Sequence, residues 1–108
     1  MSKLKKVSAH VLVCQHKTCR KQGAKASSRA LKQALKESTL AGHVMITKVK
    51  CLDQCGRGPV WAVYPDGVWY GGVDEESARR IVTEHLEKGR AVEERVLHEM
   101  QPCEREER

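Results

Sequence analysis

Four cysteines in two close pairs are the residues of this chain with the clearest capacity for chemistry. Cys14 and Cys19 are separated by four residues, and Cys51 and Cys55 are separated by three. Each pair follows a short apolar run, VLVC for the first and ITKVKC for the second, so both pairs are expected at strand ends. Four thiolates that meet from two strand ends can hold a 2Fe-2S cluster or a zinc ion.

Three thiol chemistries stay open on spacing alone: iron-sulfur ligation, structural zinc and thiol-disulfide exchange. Thiol-disulfide exchange is the weakest, because a C-x-x-C pair at a helix N-terminus is absent. Five cysteines in a chain without an evident export signal favour metal ligands over structural disulfides. We expect His16 to be a solvated loop residue, since Rieske-type centres use two histidines on one iron. Cys103, in the charged tail, is expected to be a surface thiol without a role.

The remaining pattern predicts the elements that position these cysteines. Alternating apolar residues indicate strands, an Ala-, Leu- and Lys-rich stretch indicates a helix, and Asp66-Gly67 indicates a hairpin turn. Asp74 is a suitable N-cap for a second helix, which Gly89 would end. The expected order is strand 7–14, helix 20–37, strand 43–49, strands 60–64 and 68–70, and helix 74–89. This order predicts an α/β fold with a small mixed sheet of about four strands and helices packed on it.

The chain is expected to form one domain over residues 1–90, followed by a charged C-terminal extension over residues 91–108. Within that extension Val92, Val96 and Leu97 have near-helical spacing. Four aromatic residues on the hairpin are expected to form core and cross-strand contacts. A dimer or partner surface is the alternative, because all four cannot face so small a core. These residues are Trp61, Tyr64, Trp69 and Tyr70.

Charge is unevenly divided along the chain. Residues 1–36 contain ten Lys or Arg and no acidic residue, whereas residues 37–108 contain ten basic and fourteen acidic residues, so +10 and −4 give the net charge of +6. The basic part predicts either a solvated face or a docking surface for an acidic partner. Nucleic acid is a weaker alternative, because no known motif accompanies the charge. No apolar run approaches the roughly 18 residues of a membrane helix, and a cytoplasmic location without membrane insertion is expected.

Two stretches, VLVCQHKTCRKQGA and CLDQCGRGPVWAVYPDGVWYGGV, together resemble the thioredoxin-like 2Fe-2S ferredoxin family. They are also similar to the small 2Fe-2S subunit of NADH dehydrogenases and bidirectional hydrogenases. The resemblance spans roughly residues 7–90, and its C-x3-C-G-x-G-P motif is specific. It implies a thioredoxin-like fold and pairing into a homodimer. It also implies that the cluster ligands are Cys14, Cys19, Cys51 and Cys55.

The function expected from these observations is that of a one-electron carrier rather than an enzyme. It would hold a 2Fe-2S cluster and exchange electrons with a larger redox partner that has an acidic docking surface. The basic face for that partner is expected to consist largely of Lys17, Arg20, Lys21 and Lys25. The alternative is a non-catalytic accessory or redox-sensing module in which the cluster, or zinc, has a structural role.

Overall fold

The structure is a computed structural model, and it describes residues 7–16, 21, 23–50 and 57–100. All six predicted elements are present in the predicted order, and one strand follows them. The strands and helices are β1 (Ala9–Cys14), α1 (Ala24–Lys36), β2 (Val44–Val49), β3 (Trp61–Tyr64), β4 (Val68–Tyr70), α2 (Glu75–Arg80) and β5 (Val96–Glu99). A π-helical turn, Ile81–Leu86, continues α2, and a 3-10 turn, Glu93–Arg95, leads into β5.

The five strands form one mixed sheet in the order β2-β1-β3-β4-β5. β1 and β2 are parallel, and the crossover that joins them includes α1. The other neighbouring strands are antiparallel, with β3 and β4 joined by the hairpin turn at which Gly67 has a φ of 70°. The predicted α/β sheet with helices packed on it is therefore confirmed, and β1 lies inside the sheet as expected for its apolar run.

The sheet has five strands where about four were expected, and Val96 and Leu97 lie in the fifth strand despite their near-helical spacing with Val92. Val96 and Leu97 belong to β5, in which Val96 is paired with Tyr70 of β4. The sheet therefore continues into residues 91–108, the segment expected to be a charged extension. The strand was hard to identify because it is an edge strand, and edge strands tolerate charged and polar residues that mask the apolar alternation.

The helices pack against one face of the sheet. Val11 of β1 and Trp61 of β3 lie on the face that packs against Leu31 of α1 and Ile81, and all four are at most 1% exposed. Tyr70 is on this face too, whereas Tyr64 and Trp69 lie half-buried on the opposite face and share a hydrogen bond from Trp69 Nε1 to Tyr64 Oη of 3.2 Å. The four hairpin aromatics are thus divided between the faces, as the sequence indicated.

Both helices begin and end at residues suited to those positions. Gly23, with a φ of 104°, precedes α1. Asp74 caps α2 by accepting a hydrogen bond of 2.8 Å from the Ser77 backbone N–H, and this bond lowers the pKa of the Asp74 carboxyl. Gly89, with a φ of 80°, ends the second helical segment as predicted. In the part of the chain that the structure describes, no helix is long and apolar enough to cross a membrane.

A row of hydrogen bonds, buried at Tyr70 and His85 and exposed at Asp66, joins the hairpin turn to the π-helical turn. Tyr70 Oη lies 2.7 Å from His85 Nδ1, and His85 Nε2 lies 2.7 Å from Asp66 Oδ2. The Val92 N–H donates to Tyr70 Oη at 3.0 Å. In the neutral His85 tautomer that donates its Nε2–H to the Asp66 carboxylate, Nδ1 accepts from the tyrosine hydroxyl. Burial raises the pKa of Tyr70 to about 12. These hydrogen bonds could not be predicted from local sequence patterns, because Tyr70 and Asp66 lie 15 and 19 residues from His85.

Candidate metal centre

Cys14 is the predicted ligand whose surroundings the structure describes. It is the last residue of β1 and is 2% exposed, packed with Ala24 at the start of α1 and with Val60 and Leu97. Its backbone N–H donates to the Val60 carbonyl at 3.1 Å. The strand thus holds this thiol at one end of the sheet, away from bulk water.

The other three predicted ligands, Cys19, Cys51 and Cys55, lie outside the described residues, as does Cys103. The chain before and after segments 17–20 and 51–56 is described, and parts of it contact Cys14 or Gln15. Because β1 and β2 are parallel, their carboxyl ends lie at the same edge of the sheet. Cys14 is in register with Val49, and the Gln15 N–H donates to the Val49 carbonyl at 2.8 Å. β2 therefore ends beside Cys14, and Val60, just before β3, packs against Cys14 as well.

Gly71 and Gly72 contact the backbone at Arg57, the first described residue after segment 51–56. The Gly72 N–H donates to the Arg57 carbonyl at 2.8 Å, and the Val73 N–H donates to the Pro59 carbonyl at 3.1 Å. A Cβ on Gly71 would lie 2.9 Å from the Arg57 carbonyl oxygen and 2.8 Å from the Leu97 side chain. Gly71 is therefore required by close approach of the backbone to the exit of segment 51–56.

We expect Gly71→Ala to lower the free energy of unfolding by about 1 to 3 kcal/mol, since the new methyl group overlaps a backbone oxygen that cannot rotate away. Urea denaturation would measure the change. Gly42→Ala is the matched control: a Cβ added to Gly42 would meet no atom within 4 Å, although its φ is 85°. Any loss of stability in that control reports backbone strain alone. Unchanged stability in Gly71→Ala would contradict the close approach to Arg57 and Leu97.

The surroundings of Cys14 suit an anionic, sulfur-ligated group. The amino end of α1, a helix of 13 residues, contacts Cys14 through Ala24, and its first turn holds no acidic residue. The partial positive charge of a helix N-terminus favours an anion there. A 2Fe-2S cluster with four thiolates is such an anion, and soft thiolate donors prefer iron-sulfur clusters or zinc to hard cations. The residues present therefore fit the predicted cluster.

No second metal site appears in the described ranges, where no group of three or more His, Cys, Asp or Glu is arranged to hold an ion. His16 is half-buried and follows Cys14 closely. The expectation that it does not ligate the cluster stays a prediction, because three of the four cysteines with which it would compete lie outside those ranges.

Comparisons with known proteins agree with the predicted cofactor and the fold. The profile of the family described as thioredoxin-like 2Fe-2S ferredoxin matches residues 1–86. A 2Fe-2S ferredoxin of Aquifex aeolicus (strain VF5) is 34% identical over 102 residues, which cover 86% of this chain and 92% of the relative. A 2Fe-2S ferredoxin of Clostridium pasteurianum is 38% identical over 60 residues, covering 56% of this chain and 59% of the relative.

A solved structure gives the same result for the fold. The structure of a thioredoxin-like 2Fe-2S ferredoxin from Aquifex aeolicus superposes with a TM-score of 0.82 at 32% identity, covering 89% of this chain and 96% of that chain. The thioredoxin-like fold implied by the cysteine motifs is therefore confirmed.

Proposed function

Because the chain belongs to the thioredoxin-like 2Fe-2S ferredoxin family, we propose that it carries single electrons on a 2Fe-2S cluster to or from a larger redox partner. The proposed ligands are Cys14, Cys19, Cys51 and Cys55. The observation that carries the proposal is the convergence at one sheet edge: Cys14 is buried there, in register with Val49 and hydrogen-bonded to Val60. Segments 17–20 and 51–56, which contain the other proposed ligands, follow β1 and β2 in the chain.

When bound, the cluster supplies a centre that gains or loses one electron without bond making in a substrate. The chain's own residues position and shield it. Cys14 is fixed by a central strand, and Val60 and Leu97 exclude water from its side. The backbone bonds from Gly72 to Arg57 and from Val73 to Pro59 hold the end of the second ligand segment. A rigid site of this kind changes little in geometry when the charge changes, which favours rapid electron exchange.

The partner is proposed to be a protein with an acidic docking surface. Lys21 and Lys25, two members of the basic face expected from sequence, are exposed. Lys17 and Arg20 lie outside the described residues. Opposite charge on the partner would accelerate encounter and orient the two proteins, with the ligand segments near the contact. The cytoplasmic location stays a prediction of the sequence.

Pairing into a homodimer is also proposed, through the sheet face opposite the helices. Leu12, Met45 and Trp69 are half-buried on this face, and no helix among the described elements covers it. Sedimentation equilibrium would identify a dimer, whereas a monomer at every concentration would reject this part of the proposal.

The carrier function is tested by an anaerobic redox titration followed by visible absorption. We expect one reversible one-electron transition, with the cluster spectrum recovered after repeated reduction and oxidation. The alternative, a module with a structural or sensing metal, predicts a different result: the chain would bleach irreversibly on reduction or would contain zinc. A chain that unfolds without its metal and never transfers an electron would reject the carrier function.

A further inference from the structure

A cleft between α1 and the edge strand β2 collects basic side chains from both elements. It has a volume of about 210 Å³ and is lined by Gln15, Lys25, Ser28, Arg29, Lys32 and Lys48. We call this set of residues the basic cleft. Lys25, Arg29 and Lys32 lie on successive turns of α1, and Lys48 joins them from β2. Sequence analysis missed Lys48, because only the parallel pairing of β1 with β2 brings it to this helix.

The cations of the basic cleft lack the carboxylate partners that Arg80 and Arg95 have, among the residues that the structure describes. Arg80 forms ion pairs of 3.0 Å with both Glu84 and Glu94, and Arg95 lies 3.7 Å from Asp74. In contrast, no carboxylate in the part of the chain that the structure describes lies within ion-pair distance of the four cleft cations. Like charges that line one cleft repel each other, and an anion from outside the chain would relieve that repulsion.

The basic cleft adjoins the candidate metal centre. Gln15, at the floor of the cleft, follows the predicted ligand Cys14, and its amide lies 3.5 Å from the Ser28 hydroxyl. Gln15 and Lys48 also line a neighbouring open cavity of about 490 Å³, which extends to Val49 and Lys50 at the start of segment 51–56. An anion in the cleft would therefore sit beside the edge of the sheet at which Cys14 lies.

We propose that the basic cleft receives a row of carboxylates on the surface of the redox partner protein. The inference rests on the proposed carrier function and names the surface through which it acts. Lys25 and Lys32 are seven residues apart on one helix, so the row of cations is about 10 Å long. A single phosphate group is too short to neutralise such a row, whereas acidic side chains at helical spacing match it. The cleft thus favours an acidic protein face over a small anion.

The test uses the full chain and a fluorescent peptide of about twelve residues with Glu at helical spacing, whose acidic stripe is as long as the cleft. We expect it to bind the protein at low ionic strength and to be released by salt. The double variant Arg29→Glu/Lys32→Glu should weaken binding by about tenfold or more. The control Arg79→Glu/Lys88→Glu changes the same residue types and the same net charge at exposed positions outside the cleft, and it should retain nearly all of the affinity.

Equal loss of binding in the two double variants would overturn the proposal, because net charge alone would then explain the affinity. Tight binding of inorganic phosphate or tripolyphosphate that displaces the peptide, and that needs Arg29 and Lys32, would also overturn it in favour of a small-anion site. Absence of any peptide binding to the wild-type chain would also overturn the proposal.

A second readout separates this inference from the carrier function. After anaerobic reduction, oxidation of the cleft variant by a neutral quinone should proceed at the wild-type rate, whereas oxidation by the ferricyanide anion should slow by about tenfold and lose its salt dependence. If no form of the protein can be reduced, the carrier function fails while peptide binding still reports on the cleft. If reduction is normal and ferricyanide reacts equally with both variants, the cleft inference alone fails.

Discussion

Tyr70→Phe is expected to lower the free energy of unfolding by about 2 to 4 kcal/mol, although it removes a single oxygen atom. Tyr70 Oη accepts from the Val92 N–H at 3.0 Å and is hydrogen-bonded to His85 Nδ1 at 2.7 Å. Tyr70 and His85 are 0% and 3% exposed, so water cannot replace the lost hydroxyl. Two buried polar groups would each lose a partner at a cost of about 1 to 3 kcal/mol. Equilibrium denaturation in urea measures the effect.

Tyr64→Phe is the matched control, because it removes the same atom from a half-buried residue. Its hydroxyl accepts one hydrogen bond, from Trp69 Nε1, and water can take its place, so we expect a loss below about 1 kcal/mol. Equal losses of stability in the two variants would contradict the role given to the buried hydrogen bonds of Tyr70.

The raised pKa of Tyr70 also predicts how stability depends on alkaline pH. The tyrosine pKa is 10.0 in the unfolded reference and about 12 in the fold, where burial opposes ionisation. Below pH 10 both states are protonated and the stabilisation is complete. Between these two pKa values the unfolded chain loses its proton first, so stability falls as pH rises. Tyr70→Phe should flatten this fall, and an unchanged slope would contradict the assignment.

Cys14→Ala is expected to lower iron occupancy by about tenfold or more. Loss of outer-sphere contacts alone costs metal sites about 10- to 100-fold in affinity, and removal of a direct ligand should cost at least as much. The alanine fills most of the cysteine volume beside Ala24 and Val60, so the apoprotein should stay folded. Iron analysis and the visible spectrum after reconstitution measure the loss, and circular dichroism checks the fold.

Cys103→Ala is the control for that prediction, since Cys103 lies beyond the residues matched by the family and is expected to have no role. It should leave iron content and spectrum unchanged. Full iron occupancy in Cys14→Ala, or loss of the cluster in Cys103→Ala, would show that the ligand set has been assigned to the wrong cysteines.

Local sequence signals were sufficient for the elements that approach the metal centre. The alternation in β1 ended at Cys14, the β-branched run of β2 led to Lys50, and the Asp66-Gly67 turn defined the hairpin. Asp74 was identified as a cap because its contact, with Ser77, is only three residues away. Each of these features depends on neighbours in sequence, which is why the pattern revealed them.

Features that depend on tertiary pairing could not be read in the same way. β5 is stabilised by the edge of β4 and carries His98 and Glu99, so its pattern did not indicate a strand. The Tyr70–His85–Asp66 hydrogen bonds exist only because the π-helical turn packs on the hairpin. Likewise, Lys48 reaches the basic cleft only through the parallel crossover. Contacts of this kind are set by topology, and no local motif encodes them.

The central claim is that four cysteines of this chain hold a cluster that accepts one electron. The most direct measurement is iron and acid-labile sulfide per chain on protein purified without oxygen, with low-temperature EPR before and after dithionite. We predict about two irons and two sulfides per chain, no signal in the oxidised protein and one unpaired electron per cluster after reduction. Zinc in place of iron, or no metal after reconstitution, would contradict the claim.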